Sequence, residues 1–64
     1  MNVRLRYDPA TDAACLRFSD EAVAESEGVS PGHVVDFDAD GRFVALEVLQ
    51  AARRLPKDAL LAAE

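Results

Sequence analysis

Asp36, Asp38, Asp40 and Glu47, with Gly41 between them, stand at the spacing of an EF-hand calcium loop, whose alternating carboxylates and terminal glutamate wrap a hard cation in oxygen. That loop requires a helix to enter it. Here the entering residues are Ser30-Pro31-Gly32-His33-Val34-Val35, a turn followed by an extended segment. In a hairpin closed at Asp40-Gly41, Glu47 stands opposite Val34 and is displaced from Asp36 and Asp38, which share a face. The acids are therefore read as the wet side of a hairpin, and the expectation is no bound metal.

Cys15 and His33 are the only thiol and the only imidazole. A thiol nucleophile needs a base beside it and a third group to orient that base. Nothing in the spacing joins the two: Cys15 has the parity opposite to Leu16, and His33 borders a turn. A structural zinc site wants four such ligands. Glu25, Glu27, Asp36 and Asp38 offer pairs of carboxylates for acid–base hydrolysis, but that chemistry works in a cleft that raises one pKa. A thin sheet has little room for one. Gly28, Gly32 and Gly41 are too dispersed to cradle a phosphate. The expectation is thus no catalytic, cofactor-binding or metal-binding residues and no enzyme. A small metal protein or enzyme built on Asp36, Asp38 and Asp40 is the alternative.

The elements that would position these side chains are mostly strands. Val3, Leu5 and Tyr7 alternate with Arg4 and Arg6, which predicts a strand with one wet face. Asp8-Pro9 then starts a reversal, and Ala14, Leu16 and Phe18 alternate with Ala13, Cys15 and Arg17 in a second, antiparallel strand. Ala22 to Val29 is more weakly patterned and predicts an exposed edge strand, whose acids discourage unwanted pairing. Pro31-Gly32 suits the centre of a type II turn, and His33 to Asp38 is a fourth strand. Asp40-Gly41 predicts a two-residue type I′ loop. Its register sets Phe37 against Val44, Asp36 against Ala45 and Val35 against Leu46, so that Val35, Phe37, Val44, Leu46 and Val48 share one apolar face.

After Val48, Leu49 to Arg54 reads as a helical turn or two that Pro56 interrupts. Lys57 to Glu64 predicts a short helix with Pro56 in its first turn. Leu55, Leu60 and Leu61 must then pack on the sheet or on a neighbouring chain, because so short a helix does not hold in water unaided. The fold class is mainly β (α+β): one domain, residues 1–64, with a five-stranded, mostly antiparallel, hairpin-built sheet and a short C-terminal helix.

Size and charge narrow the function. The chain has 64 residues and a formal charge of −5. Half are hydrophobic, but twelve of those are alanine, so twenty larger side chains must fill the core. A core of this size rarely supplies more than ~3 to 5 kcal/mol. With one cysteine and no intrachain disulfide, a second copy is the expected support, hence a homodimer.

Between residues 18 and 47 lie eight acids and one base, Arg42. That field favours a basic protein partner and disfavours nucleic acid, which is bound chiefly by Lys and Arg, although Arg4, Arg6 and Arg17 offer a local basic stripe. Arg53-Arg54-Leu55-Pro56-Lys57 reads first as a solvated helix end. No apolar run reaches the ~20 residues of a membrane span and no secretory signal opens the chain, so the expected location is the cytoplasm.

Tyr7-Asp8-Pro9, Asp12-Ala13, Leu16, Phe18-Ser19, Val23 to Glu27, Pro31-Gly32, Phe37-Asp38, Asp40-Gly41-Arg42 and Glu47-Val48-Leu49 together form an ordered string. In this the chain resembles domain of unknown function family 2283, small bacterial and archaeal proteins, from about Val3 to Leu55. The resemblance implies a compact β-rich fold with a short C-terminal helix and no assigned activity. Such families often occur in two-gene arrangements suggestive of toxin and antitoxin pairs, which implies an antitoxin-like interaction module and supplies no catalytic residue to carry over.

Overall fold

The computed structural model describes residues 3–64. Five strands form one antiparallel sheet: β1 (Arg4–Asp8), β2 (Ala13–Arg17), β3 (Glu25–Ser30), β4 (His33–Phe37) and β5 (Phe43–Leu49), followed by the helices α1 (Ala51–Arg54) and α2 (Lys57–Ala62). The spatial order is β1-β2-β5-β4-β3. The last strand in sequence is thus the central one. The chain passes from β2 to β3 by a crossover, residues 18–24, that spans the ends of β5 and β4. Its two ends continue the ladders, with Phe18 N–H donating to Val44 C=O and Ala24 N–H to Phe37 C=O.

Pairing sets the side chains in rows. Tyr7, Ala14, Val48 and His33 form one row, and Leu5, Leu16, Leu46 and Val35 the next. Both lie on the face that carries the helices, where Ala14, Val48 and Ala51 are buried with Leu5, Tyr7, Leu46, Leu55 and Leu60 against them. The opposite face, open in that no helix lies on it although Ala45 and Asp36 are buried there, holds two rows of other chemistry: Arg6, Cys15, Glu47 and Val34; and Arg4, Arg17, Ala45, Asp36 and Ser26. Period-two alternation produces this division.

The hairpin between β4 and β5 departs from expectation at its tip. Val35 does face Leu46, and Asp36 faces Ala45, but Phe37 faces Phe43 in place of Val44. Asp38 N–H donates to Arg42 C=O and Gly41 N–H to Asp38 C=O, with Gly41 at φ +79°. Asp40 does not have a positive φ. The loop is therefore three residues, a type I turn closed by a left-handed glycine, and not the two-residue type I′ loop. Asp-Gly serves both turns. The Asp38 carboxylate, which accepts from the backbone N–H of Asp40 and of Arg42, stabilises the longer one. The one-residue difference is taken up by a bulge at Val44, which becomes the largest fully buried side chain. Beyond the bulge the expected register holds, and Val35, Leu46 and Val48 share the helix face.

Two ties complete the fold. Asp12, at φ +54°, receives Ala51 N–H on its carbonyl, and receives Ala52 N–H (2.9 Å) and Tyr7 O–H (2.8 Å) on its carboxylate. It caps α1 from the far side of the sequence. Glu64 lies beside β1, its N–H donating to Leu5 C=O and its C=O accepting Tyr7 N–H. At the β3–β4 turn, Gly32 has φ +78°, as a type II turn requires, and a Cβ there would strike the Arg54 guanidinium. Arg54 of the helical basic cluster thus lies against this turn while staying exposed.

Candidate functional site

The calcium-loop residues are dispersed. Asp38 is turned into its own turn, where Arg42 Nε also reaches it at 3.0 Å. These bonds, led by the Arg42 backbone N–H, hold its carboxyl below the usual 3.8. Asp40 is exposed beside Arg42. Asp36 instead lies on the open face, 3 % exposed, and accepts the Ser26 hydroxyl. Among the described residues no group of three or more His, Cys, Asp or Glu is arranged to hold a metal ion.

Glu47 does sit opposite Val34, as its register requires, but its carboxyl is not displaced from Asp36. The two lie on one face across the diagonal of the ladder, and Asp36 is the main influence on Glu47. A carboxyl close to another carboxylate holds its proton more tightly. The Asp36 side chain first, then burial and the Asp36 charge, raise the Glu47 pKa from its ordinary 4.5. The alternation of β4 and β5 contained this diagonal, but only the side-chain reach of glutamate reveals it.

Cys15 stands beside Glu47 in the same row. Burial first, then the Glu47 and Asp36 charges, push its thiol above 9.0, so it stays protonated and weakly nucleophilic at neutral pH. His33 belongs to the other face and to the end of β4, with Nδ1 near Ser30 Oγ and the Pro31 carbonyl. The fold keeps the thiol and the imidazole apart.

The arginines of β1 and β2 do form a stripe. Arg4 faces Arg17, and Arg6 faces Cys15, on the open face. Two are engaged, Arg4 with the Asp20 carboxylate and Arg17 with the Glu21 carbonyl, which draws the crossover to this side. A sheet greasy below and anionic above is therefore not what forms. The open face is basic toward β1 and acidic in its centre, while the exposed acids Glu25 and Glu27 lie on the helix face, in the rows of Phe37 and Val35. The parity that puts Glu25 beside Phe37 follows from the β3–β4 turn, and an isolated reading of β3 does not contain it.

A shallow cleft of about 280 Å³ opens at the hairpin tip, lined by Ser19, Glu21, Asp38, Arg42, Phe43 and Val44. Its charged pair, Asp38 and Arg42, is already mutually satisfied, and neither Asp36 nor Glu47 lines it. No helix of the described residues is long and apolar enough to cross a membrane.

The sheet edges complete the picture. Every residue of β3 is exposed, and it is the outermost strand. The other edge, β1, carries Glu64. Among comparisons with known proteins, a family model described as a protein of unknown function, DUF2283, matches residues 4–51. No curated protein and no solved structure matches the chain.

Proposed function

The chain belongs to the DUF2283 family, whose description assigns no activity, and from the geometry we propose that it is a non-enzymatic protein-interaction module that pairs with a basic protein. The observation that carries this reading is the β3 side of the sheet. There an exposed outer strand bears Glu25 and Glu27, and no lysine or arginine occurs between Phe18 and Gly41 to offset them. The groups with chemical potential are turned inward: Asp38 on its turn, Asp36 on Ser26 and Glu47, and Cys15 kept as a thiol. An acidic surface accelerates and selects a cationic partner through its field. An antitoxin-like pairing with a basic, ribonuclease-like protein is the specific form to test first.

Affinity capture from the host, eluted over a salt series, tests the reading. The expected partner has a net positive charge and is released between about 0.05 and 0.5 M salt, as the screening length shrinks. Capture that ignores salt, or a partner without positive charge, overturns it.

A second reading concerns self-association, and the open shape favours it. The accessible surface is 4531 Å² and the extents are 33 × 26 × 18 Å, whereas a compact monomer of this mass exposes about 4000 Å². The helices leave Phe43 64 % exposed at the hairpin end, where its ring meets that of half-buried Phe37 edge to face at 5.2 Å. We propose that a second copy covers this apolar end. Light scattering on the eluting protein at micromolar concentration should give twice the chain mass; a folded monomer would remove the dimer.

A further inference from the structure

The edge of the sheet at β3 invites a more specific statement, which rests on the interaction reading above. We propose that β3 accepts a partner strand in which basic residues alternate with large apolar ones, extending the sheet by one strand. An outer strand in an antiparallel pair turns alternate N–H and C=O groups away from its neighbour, and these form a template for strand addition. The opposite edge is partly taken, since Glu64 donates to the Leu5 C=O and accepts the Tyr7 N–H. The β3 edge has no such backbone partner on its outer side among the described residues.

The partner's alternation follows from the two parities of β3. Glu25 and Glu27 project on the helix face and form no ion pair among the described residues. A docked strand places Lys or Arg opposite them, and opposite charges across a ladder are favourable whereas like charges are not. A second copy is the poorer occupant for the same reason. A two-fold register centred on Ser26 or Glu27 would set a carboxylate directly against a carboxylate of the copy.

On the other parity stand Ser26 and Gly28. Nothing lies within 4 Å of the position a Cβ would take on Gly28, and its row neighbour Val34 is left partly uncovered. A large apolar or aromatic side chain from an adjoining strand covers a glycine of this kind. The bulge between Gly28 and Ser30 then ends the regular template. The docking segment is therefore Glu25 to Gly28.

Amide hydrogen exchange of the full chain tests this, with a blocked Lys-Val-Lys-Phe-Lys peptide as the probe. Its glutamate counterpart and an N-methylated copy that cannot form the ladder serve as controls. The expected result is slower exchange at alternate amides of Glu25 to Gly28 with the lysine peptide and none with either control. The double variant Glu25→Lys/Glu27→Lys, altered only at exposed positions, should bind the lysine peptide roughly tenfold more weakly and accept the glutamate peptide.

Equal binding of the N-methylated peptide would reduce the effect to surface attraction and overturn strand addition. Protection of β3 that grows with protein concentration alone would make the occupant a second copy, with the same consequence. A basic host protein that binds salt-dependently without protecting β3 removes strand addition and leaves the interaction reading standing. If neither the peptide nor any basic protein binds, that reading falls too.

Discussion

At the β1 edge Glu64 takes up the Leu5 C=O and the Tyr7 N–H, and the helices that lead to Glu64 are pinned to the β1–β2 turn through Asp12. At the β3 edge all six residues from Glu25 to Ser30 are exposed. The first edge is closed by structure and the second is guarded by charge. Closure uses up a helix pair and the buried cluster of Ala14, Val48 and Ala51. Charge needs two carboxylates and leaves the ladder available. A chain of this size has apolar material enough to finish one side well, and recognition then falls to the other.

The contrast breaks most readily in the core under the helices. Val48→Ala should destabilise the protein by about 2 kcal/mol through lost burial and a residual cavity, while Val29→Ala, at a side chain 57 % exposed in β3, should change stability by less than about 0.5 kcal/mol. Urea unfolding of the two variants measures the difference. Equal losses would show that the two edges are equally integrated.

Next in size is the tie at Asp12. Asp12→Gly keeps the positive φ but removes the acceptor for Tyr7 O–H and Ala52 N–H. The expected cost is about 1 to 2 kcal/mol. The Tyr7 pKa, raised above 10.0 chiefly by its hydrogen bond to Asp12, should fall back toward the ordinary value in a spectrophotometric titration. Deleting Glu64 is milder, and should speed Tyr7 amide exchange about fivefold, one net hydrogen bond's worth, without altering β3.

The smallest effect is a dependence on pH confined to the β3 side. Glu47 has a folded pKa above 4.5, so the folded state holds its proton more tightly than the unfolded chain does. The stability this contributes is complete below about 4.5 and is lost as pH rises through the folded value. Asp38 runs in the opposite sense: its lowered pKa contributes stability present above 3.8 and lost as pH falls through the folded value. Because Asp36 accepts the Ser26 hydroxyl of β3 and lies diagonal to Glu47, loss of the Glu47 proton should loosen β3 and leave β1 unchanged. Glu47→Gln should flatten the pH dependence of Ser26 amide exchange; an unchanged profile would mean that the carboxyl pair does not hold this edge.

Much of this architecture was legible before any coordinates. Alternation located all five strands, and the register of Val35 with Leu46 followed from keeping Asp36 off the apolar side. The exposure of β3 was likewise read from its acids. What escaped was what local pattern does not encode. Asp-Gly fits two turn geometries, and the choice lay in the Asp38 side chain, so the bulge at Val44 went unseen. The place of β5 between β2 and β4 depends on which strands pair over long separations. The roles of Asp12 and Glu64 depend on partners about forty and sixty residues away. The closeness of Asp36 and Glu47 is not carried by directly opposed residues, because these two lie on the diagonal of the ladder.

The central position of β5 has a consequence for biosynthesis. The β1–β2 hairpin and the β3–β4 hairpin leave the ribosome first, and a two-stranded ribbon is marginal by itself. Only when residues 43–49 have emerged can the two ribbons be joined along both sides of one strand. Until then the nascent chain carries two unfinished ribbons, and the interval before they are joined is when it is most exposed to the quality-control machinery of the cell.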